Sequence, residues 1–212
     1  MLTNIEEGRS YPLKQEAQSI RGKRIVLVGD CEVSKAAATM LAGQGARVFF
    51  AAQTDEELGE LMAAVARAKG EGEGMVTNRE CPEEMRRFFT RAKRILGQVD
   101  VLVYQPAGDS VLTGGMNQLV QLTIQQMREQ GSGHIISIDS AGGWAADLRR
   151  KARDYGIRVT RIEPASEAFF WAEDLPGSSL RSEIVNCVYE SIAQPFMGDV
   201  IYLSEPSSGQ ML

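Results

Sequence analysis

The chain is poor in the residues that hold metals and cross-links. It has one histidine, His134, and three cysteines, Cys31, Cys81 and Cys187, in 212 residues. The cysteines are odd in number and scattered, which argues against a disulfide framework, and with a lone histidine they show no metal-ligand spacing. No metal is expected, and a reducing, cytoplasmic setting is. No apolar run approaches the roughly 20 residues that cross a bilayer, and no secretory leader is legible at the start. Positive charge is not in excess either. The net charge is -5, which gives no field to draw nucleic acid or an anionic membrane surface. Internal repeats are absent, and no linker marks a second domain.

What remains is an alternation of strands and helices. Arg24 to Val28 reads as a buried strand, Gly29 as a tight turn, and the alanine-rich run from about Val33 as a helix. Gly45-Ala-Arg-Val-Phe-Phe-Ala-Ala returns as a second strand over Arg47 to Ala52. Thr54 and Glu57 have the spacing of a capping box before a helix that runs to about Lys69. Gly70-Glu-Gly-Glu-Gly reads as a turn and Met75-Val-Thr as a short third strand. Pro82 opens another helix, whose apolar stripe is Met85, Phe88, Phe89, Ala92 and Ile95. Its basic face, with Arg86, Arg87, Arg91, Lys93 and Arg94, reads as solvated surface. Val99 to Val103 is a fourth strand. Met116 to about Gln130 is a helix whose stripe is core or, alternatively, an interface. His134 to Ser140 is a fifth strand, Ala145 to Tyr155 a helix capped by Gly156, and Ile157 to Glu163 a sixth strand. Ser182 to Ile192 is a helix and Asp199 to Leu203 a last strand. The pattern predicts an α/β fold: a doubly wound, mainly parallel sheet in a Rossmann-like three-layer sandwich. An N-terminal arm over 1–19, one domain over 20–205 and a tail over 206–212 are expected.

Several pieces, in order, resemble the short-chain dehydrogenase/reductase family. They are Gly22-Lys-Arg-Ile-Val-Leu-Val-Gly, Gly45-Ala-Arg-Val, Val99-Asp-Val-Leu-Val-Tyr-Gln-Pro-Ala-Gly and Met127-Arg-Glu-Gln-Gly-Ser-Gly-His-Ile-Ile-Ser-Ile-Asp-Ser-Ala-Gly-Gly. Tyr155-Gly-Ile-Arg-Val-Thr-Arg-Ile-Glu-Pro and Gly198-Asp-Val-Ile-Tyr-Leu complete the series. The resemblance implies a fold that holds NAD or NADP at the turn after the first strand. On it, the residues beside a cofactor are Gly29, Asp30, Glu32, Ser34, Gln53, Tyr104 and Ala107.

The departures carry as much weight. The family's turn is Thr-Gly-x-x-x-Gly-x-Gly, whose glycines let backbone approach the pyrophosphate. Here only Gly29 is kept; Glu32 and Ser34 stand near the later glycine positions, and the turn looks one residue short. Carboxylates at Asp30 and Glu32 set like charge against phosphate and satisfy a helix N-terminus themselves. The family's proton-transfer set is asparagine, serine, and tyrosine and lysine spaced Tyr-x-x-x-Lys. Ser140 lines up with the serine and Val111 with the asparagine. The segment that should bear the pair is missing: only fourteen residues separate Ser140 from Tyr155. Lys151 and Tyr155 have the spacing in reverse order and read as ordinary helix-end residues. His134 reads as structural, and Phe169, Phe170 and Trp171 as core, interface or substrate-loop residues. Asp30, Glu32, Asp139 and Ser140 together have no specific cation-site spacing.

These losses imply a degenerate, shortened relative of the family: a non-catalytic structural or regulatory subunit that binds no cofactor. The alternatives are an NAD(P)-dependent oxidoreductase with relocated machinery, using Ser140 and Tyr104 or Tyr155, and a small-ligand sensor. Shortened helices leave sheet to cover, which implies a homodimer or a hetero-oligomer with another chain of this fold.

Overall fold

The computed structural model describes residues 19–29, 31–105, 113–139, 143–164, 178–194 and 200–203. Seven strands form one sheet: β1 (Arg24–Val28), β2 (Arg47–Ala52), β3 (Glu71–Val76), β4 (Val101–Tyr104), β5 (Gly133–Ile138), β6 (Ile157–Pro164) and β7 (Val200–Leu203). Their order is β3-β2-β1-β4-β5-β6-β7, and every neighbouring pair is parallel. The helices are α1 (Cys31–Gly43), α2 (Asp55–Arg67), α3 (Pro82–Leu96), α4 (Gly114–Gln130), α5 (Gly143–Ala152) and, last in the chain, α6 (Ser178–Ala193). This is the doubly wound α/β sandwich that the alternation of elements predicts.

Side chains alternate across each strand, so one sheet feeds two cores. Leu27, Phe50, Val103 and Ile136 pack with Leu41, Leu61, Ile184 and Val188 beneath α1, α2 and α6. Val26, Phe49, Leu102 and Ile135 pack with Met85, Phe88, Leu119 and Met127 beneath α3 and α4. The α4 stripe is therefore core: Met116, Leu119, Val120, Thr123 and Met127 are all buried.

Local chemistry sets most boundaries. Thr54 caps α2, its hydroxyl accepting from the Glu57 N–H at 3.1 Å. The Glu57 carboxylate reaches one residue further back than a simple capping box, to the Gln53 N–H at 2.6 Å. Gly131 and Gly156 end α4 and the 3-10 turn Arg153–Tyr155 in the left-handed region, at φ 69° and 68°. That short turn divides the predicted helix over Ala145 to Tyr155 into α5 and its tail.

Two expectations are corrected. The glycine run at 70–74 is not a turn: residues 71–76 form β3, paired along β2 from Arg47↔Glu71 to Ala52↔Val76. Its glycines answer to Phe50, whose fully buried ring lies against them. A Cβ at Gly74 would come within 2.5 Å of Phe50 Cδ2, and one at Gly72 within 3.0 Å of Val65 Cγ1. The exposed Glu71 and Glu73 line this edge strand and discourage further pairing. Likewise α1 begins at Cys31 rather than near Val33, because Glu32 and Ser34 are helix-compatible where glycines would have loosened the turn. The expected N-terminal arm, but for Ser19, the C-terminal tail, and Phe169, Phe170 and Trp171 lie outside the described residues.

Candidate functional site

Seven parallel strands end on the same edge of the sheet, and the strand order reverses between β1 and β4. Open α/β sheets gather ligands at that point. Here Gly29 is closely packed. Gly29 follows β1, and a Cβ there would lie 2.9 Å from Ser34 Oγ and 3.2 Å from Gln105 Cβ. Ser34 is 4% exposed and Gln105 6%. Gln105 is held in place by its N–H, which donates to the Val28 carbonyl at 2.8 Å. The gap beneath Gly29, lined also by the core residues Leu27, Val33, Ala37, Val103 and Ile138, is about 10 Å³, no more than a single water needs. Glu32, exposed in the first turn of α1, places its carboxylate at the positive end of that helix.

Beside this closed gap lies an open cleft of about 530 Å³. The ends of β2, β3 and β4 form its floor, through Gln53, Val76, Thr77 and Gln105. The loop after β3 and the start of α4 form its walls, through Asn78, Arg79, Glu80, Thr113 and Met116. The loop is tied down on both sides. Asn78 Oδ1 accepts from the Glu80 N–H at 2.9 Å, and the Asn78 N–H donates to Glu84 Oε2 at 2.7 Å. Thr113 Oγ1 donates to the Arg79 carbonyl at 3.3 Å, and the Gly115 N–H to the Glu80 carbonyl at 3.0 Å. Two groups lining the cleft have no such tie. Thr77 is 3% exposed, yet its hydroxyl has no hydrogen-bond partner. Arg79 forms no ion pair among the described residues.

Tyr104, Ser137 and Arg161 occupy one register row across β4, β5 and β6. All three are buried, with Asp139 buried just beyond β5. Burial, and secondarily the Asp139 carboxylate, pushes the Tyr104 phenol well above its ordinary value. A proton-transfer tyrosine needs the opposite shift. Arg161 pairs with Glu163. Asp30, Ala107, Val111 and Ser140 lie outside the described residues.

Tyr155 and Lys151 are on the opposite edge. Tyr155 is separated from β6 only by Gly156, at the end where the strands begin. Its hydroxyl accepts from Arg128 Nη2 at 2.9 Å, and the same guanidinium carbon stands 3.9 Å from its ring centroid. Lys151 is exposed at the end of α5. No Tyr-x-x-x-Lys pair occurs anywhere in the sequence, consistent with reduced or absent dehydrogenase activity. Among the described residues no cluster of His, Cys, Asp and Glu is placed to hold a metal ion, and no helix is long and apolar enough to cross a membrane. The Cys187 thiol is pushed up to about 11 by burial and then by Glu183 and Glu190, which makes it a poor nucleophile.

Sequence reasoning placed Gly29, Ser34, Gln53 and Tyr104 at this edge. It passed over Gln105 as a site residue, and with it Thr77, Asn78, Arg79 and Thr113. The only available signal was position: a polar loop directly after a strand on the ligand-gathering edge.

No family model matches the chain, and no curated protein matches it. Solved structures do. A hydroxysteroid dehydrogenase from Escherichia coli superposes with a TM-score of 0.72 at 16% identity, over 90% of this chain and 98% of that one. A short-chain type dehydrogenase/reductase from Mycobacterium marinum gives 0.69 at 18% identity, over 87% and 94%. A 7 alpha-hydroxysteroid dehydrogenase complexed with NADH and 7-oxo glycochenodeoxycholic acid gives 0.71 at 16% identity, over 88% and 95%. At such identities the likeness shows the fold alone, which this chain shares with those three proteins.

Proposed function

We propose that this chain is a divergent, shortened member of the short-chain dehydrogenase/reductase family that performs no hydride transfer and acts as a structural or regulatory subunit. The observation that carries the reading is the close packing at Gly29. Ser34 and Gln105 pack against Gly29, the glycine that the resemblance sets beside a pyrophosphate, and the gap beneath it is about 10 Å³. The like charge at Glu32 and the raised phenol of Tyr104 support it. Asp30 and Ala107 belong to the same wall on this reading, Ser140 is a vestige of the proton-transfer set, and Tyr155 and Lys151 are helix-end residues. The chain pairs with itself or with an intact chain of the same fold.

Isothermal calorimetry of the purified protein tests this. NAD and NADP, oxidised and reduced, are expected to give no saturable heat up to physiological concentration. Micromolar binding of any of the four overturns the reading.

The likeness to solved structures favours a second reading, an NAD(P)-dependent oxidoreductase of a small carbonyl or alcohol substrate with relocated catalytic residues. The neighbours described above are dehydrogenases or dehydrogenase/reductases, and one is complexed with NADH. That reading requires cofactor-dependent turnover that disappears in Ser140→Ala.

A further inference from the structure

The charge pattern of α3 points to a protein partner: we propose that the outward face of this helix, built on Arg87, Arg91 and Arg94, docks an acidic helical segment of another protein. The surface is separate from the cleft at the strand ends, and the proposal holds whether or not the chain transfers hydride.

In sequence this basic side reads as solvated surface, and three observations set it apart. The first is concentration. The helix carries five basic residues and two acidic ones, against 23 and 28 in the whole chain, so its charge runs against the sign of the molecule. Lys93 and Arg94 complement the carbonyl end of the helix dipole, but Arg86, Arg87 and Arg91 lie before the last turn, beyond the reach of that effect. The second is incomplete neutralisation. Glu83 pairs with Arg86 at 3.2 Å, Glu84 is held by the Asn78 N–H, and Glu73 reaches Arg91 only at 3.8 Å. The exposed Arg87, Lys93 and Arg94 form no ion pair among the described residues. The helix packed beside α3 offers them no carboxylate: from Gly114 to Met127 α4 is uncharged, and its exposed side chains are Asn117, Gln121 and Gln125. The third is spacing. Arg87, Arg91 and Arg94 stand at i, i+4 and i+7, one stripe about 10 Å long. A partner helix with carboxylates at the same intervals meets that stripe, and guanidinium forks take carboxylates bidentately. Nucleic acid fits less well. The exposed large apolar side chains among the described residues, Met62, Tyr155 and Tyr202, all lie elsewhere, so no base can stack on α3 or α4. The exposed Glu71 and Glu73 of β3 also border the stripe, where they would repel a longer polyanion.

The test is fluorescence anisotropy of the full chain with a labelled, alanine-based helical peptide of about 20 residues that bears glutamates at i, i+4 and i+7. Saturable micromolar binding is expected at low salt and should weaken as salt rises. Amide shifts should be confined to α3 and the neighbouring face of α4. The same peptide with glutamine for glutamate should bind about tenfold more weakly. Arg87→Glu combined with Arg94→Glu should cost about tenfold or more, and Arg87→Lys with Arg94→Lys about two- to threefold, since a point charge then replaces a fork. Equal melting temperatures show that the variants fold. No binding up to millimolar peptide, unchanged affinity in the charge-reversed variant, or amide shifts elsewhere on the chain overturns the proposal. Tighter binding of a single-stranded oligothymidylate of equal charge also overturns it, because the surface is then a nucleic-acid contact. Self-association that the charge reversal abolishes does the same, because the occupant is then a second copy. None of these outcomes bears on the calorimetry with NAD and NADP, so the non-catalytic reading stands or falls separately.

Discussion

His134 shows how a chain with one histidine uses it. The ring is 4% exposed, in β5, with both nitrogens engaged. Arg158 Nη2 can only donate, so Nδ1 accepts at 3.0 Å. Nε2 therefore carries the hydrogen and donates to Thr160 Oγ1 at 2.9 Å. Desolvation first, then the neighbouring Arg158 and Lys23 charges, hold the imidazole well below its ordinary value. The folded state thus binds fewer protons than the unfolded state below the unfolded value. The neutral ring's contribution is complete above about pH 6.5 and falls as pH drops, by at most about 1.4 kcal/mol per pH unit. Urea midpoints from pH 7.5 to 5.0 should show this extra loss. His134→Gln keeps an acceptor and a donor without the titration, so its midpoint should fall less steeply. Parallel pH profiles for the two proteins would refute the assignment. The same residue-by-residue logic governs the site. Ser34 was legible because it replaces a glycine in a known spacing. Gln105 was not, because its role depends on meeting residues 29 and 34 across the sheet, a distance that no local pattern encodes.

At the scale of elements, β1 and β2 were legible to the residue, as Arg24–Val28 and Arg47–Ala52. Each is an apolar run between glycine or polar breaks, and a parallel strand buried on both faces has that signature. The helices followed from their 3.6-residue stripes, with ends misjudged by a few residues where fraying and caps decide. The strand β3 was misread for a physical reason. Glycine in a strand is locally unfavourable, and Gly72 and Gly74 are tolerated only because the Phe50 ring takes the space their side chains would fill. A tertiary contact thus overrides a local preference. Gly74→Val should therefore destabilise the protein although valine favours strands. The displaced ring, overpacked against Val65 and β3, costs about 1–3 kcal/mol. Chemical denaturation measures this, and hydrogen exchange should place the loosening in β2, β3 and α2. A neutral or stabilising outcome would mean that the ring moves aside freely and that the strand does not depend on its glycines.

At the scale of the whole molecule, fold and function part company. The fold was legible because alternating elements, parallel pairing and a strand-order reversal follow from patterning that the chain retains throughout. The candidate site was legible only as departures from the family pattern, since the open cleft is assembled from the ends of β2, β3 and β4 and the start of α4, far apart in sequence. Both cores share the same strands, so neither face can melt without exposing the other, and a ligand held at the strand ends acts on the whole unit. This gives a global readout for the cleft. A ligand at a hundred times its Kd adds about 2.7 kcal/mol of stability, and each kcal/mol raises Tm by about 2–4 °C in a protein of this size. A dinucleotide bound at that excess would therefore raise the single melting transition by roughly 5–10 °C. NADH and NADPH at millimolar concentration should leave Tm unchanged. A rise in the unaltered protein with NADPH would instead mean that Ser34 and Gln105 yield to a dinucleotide, and the oxidoreductase reading would then take precedence.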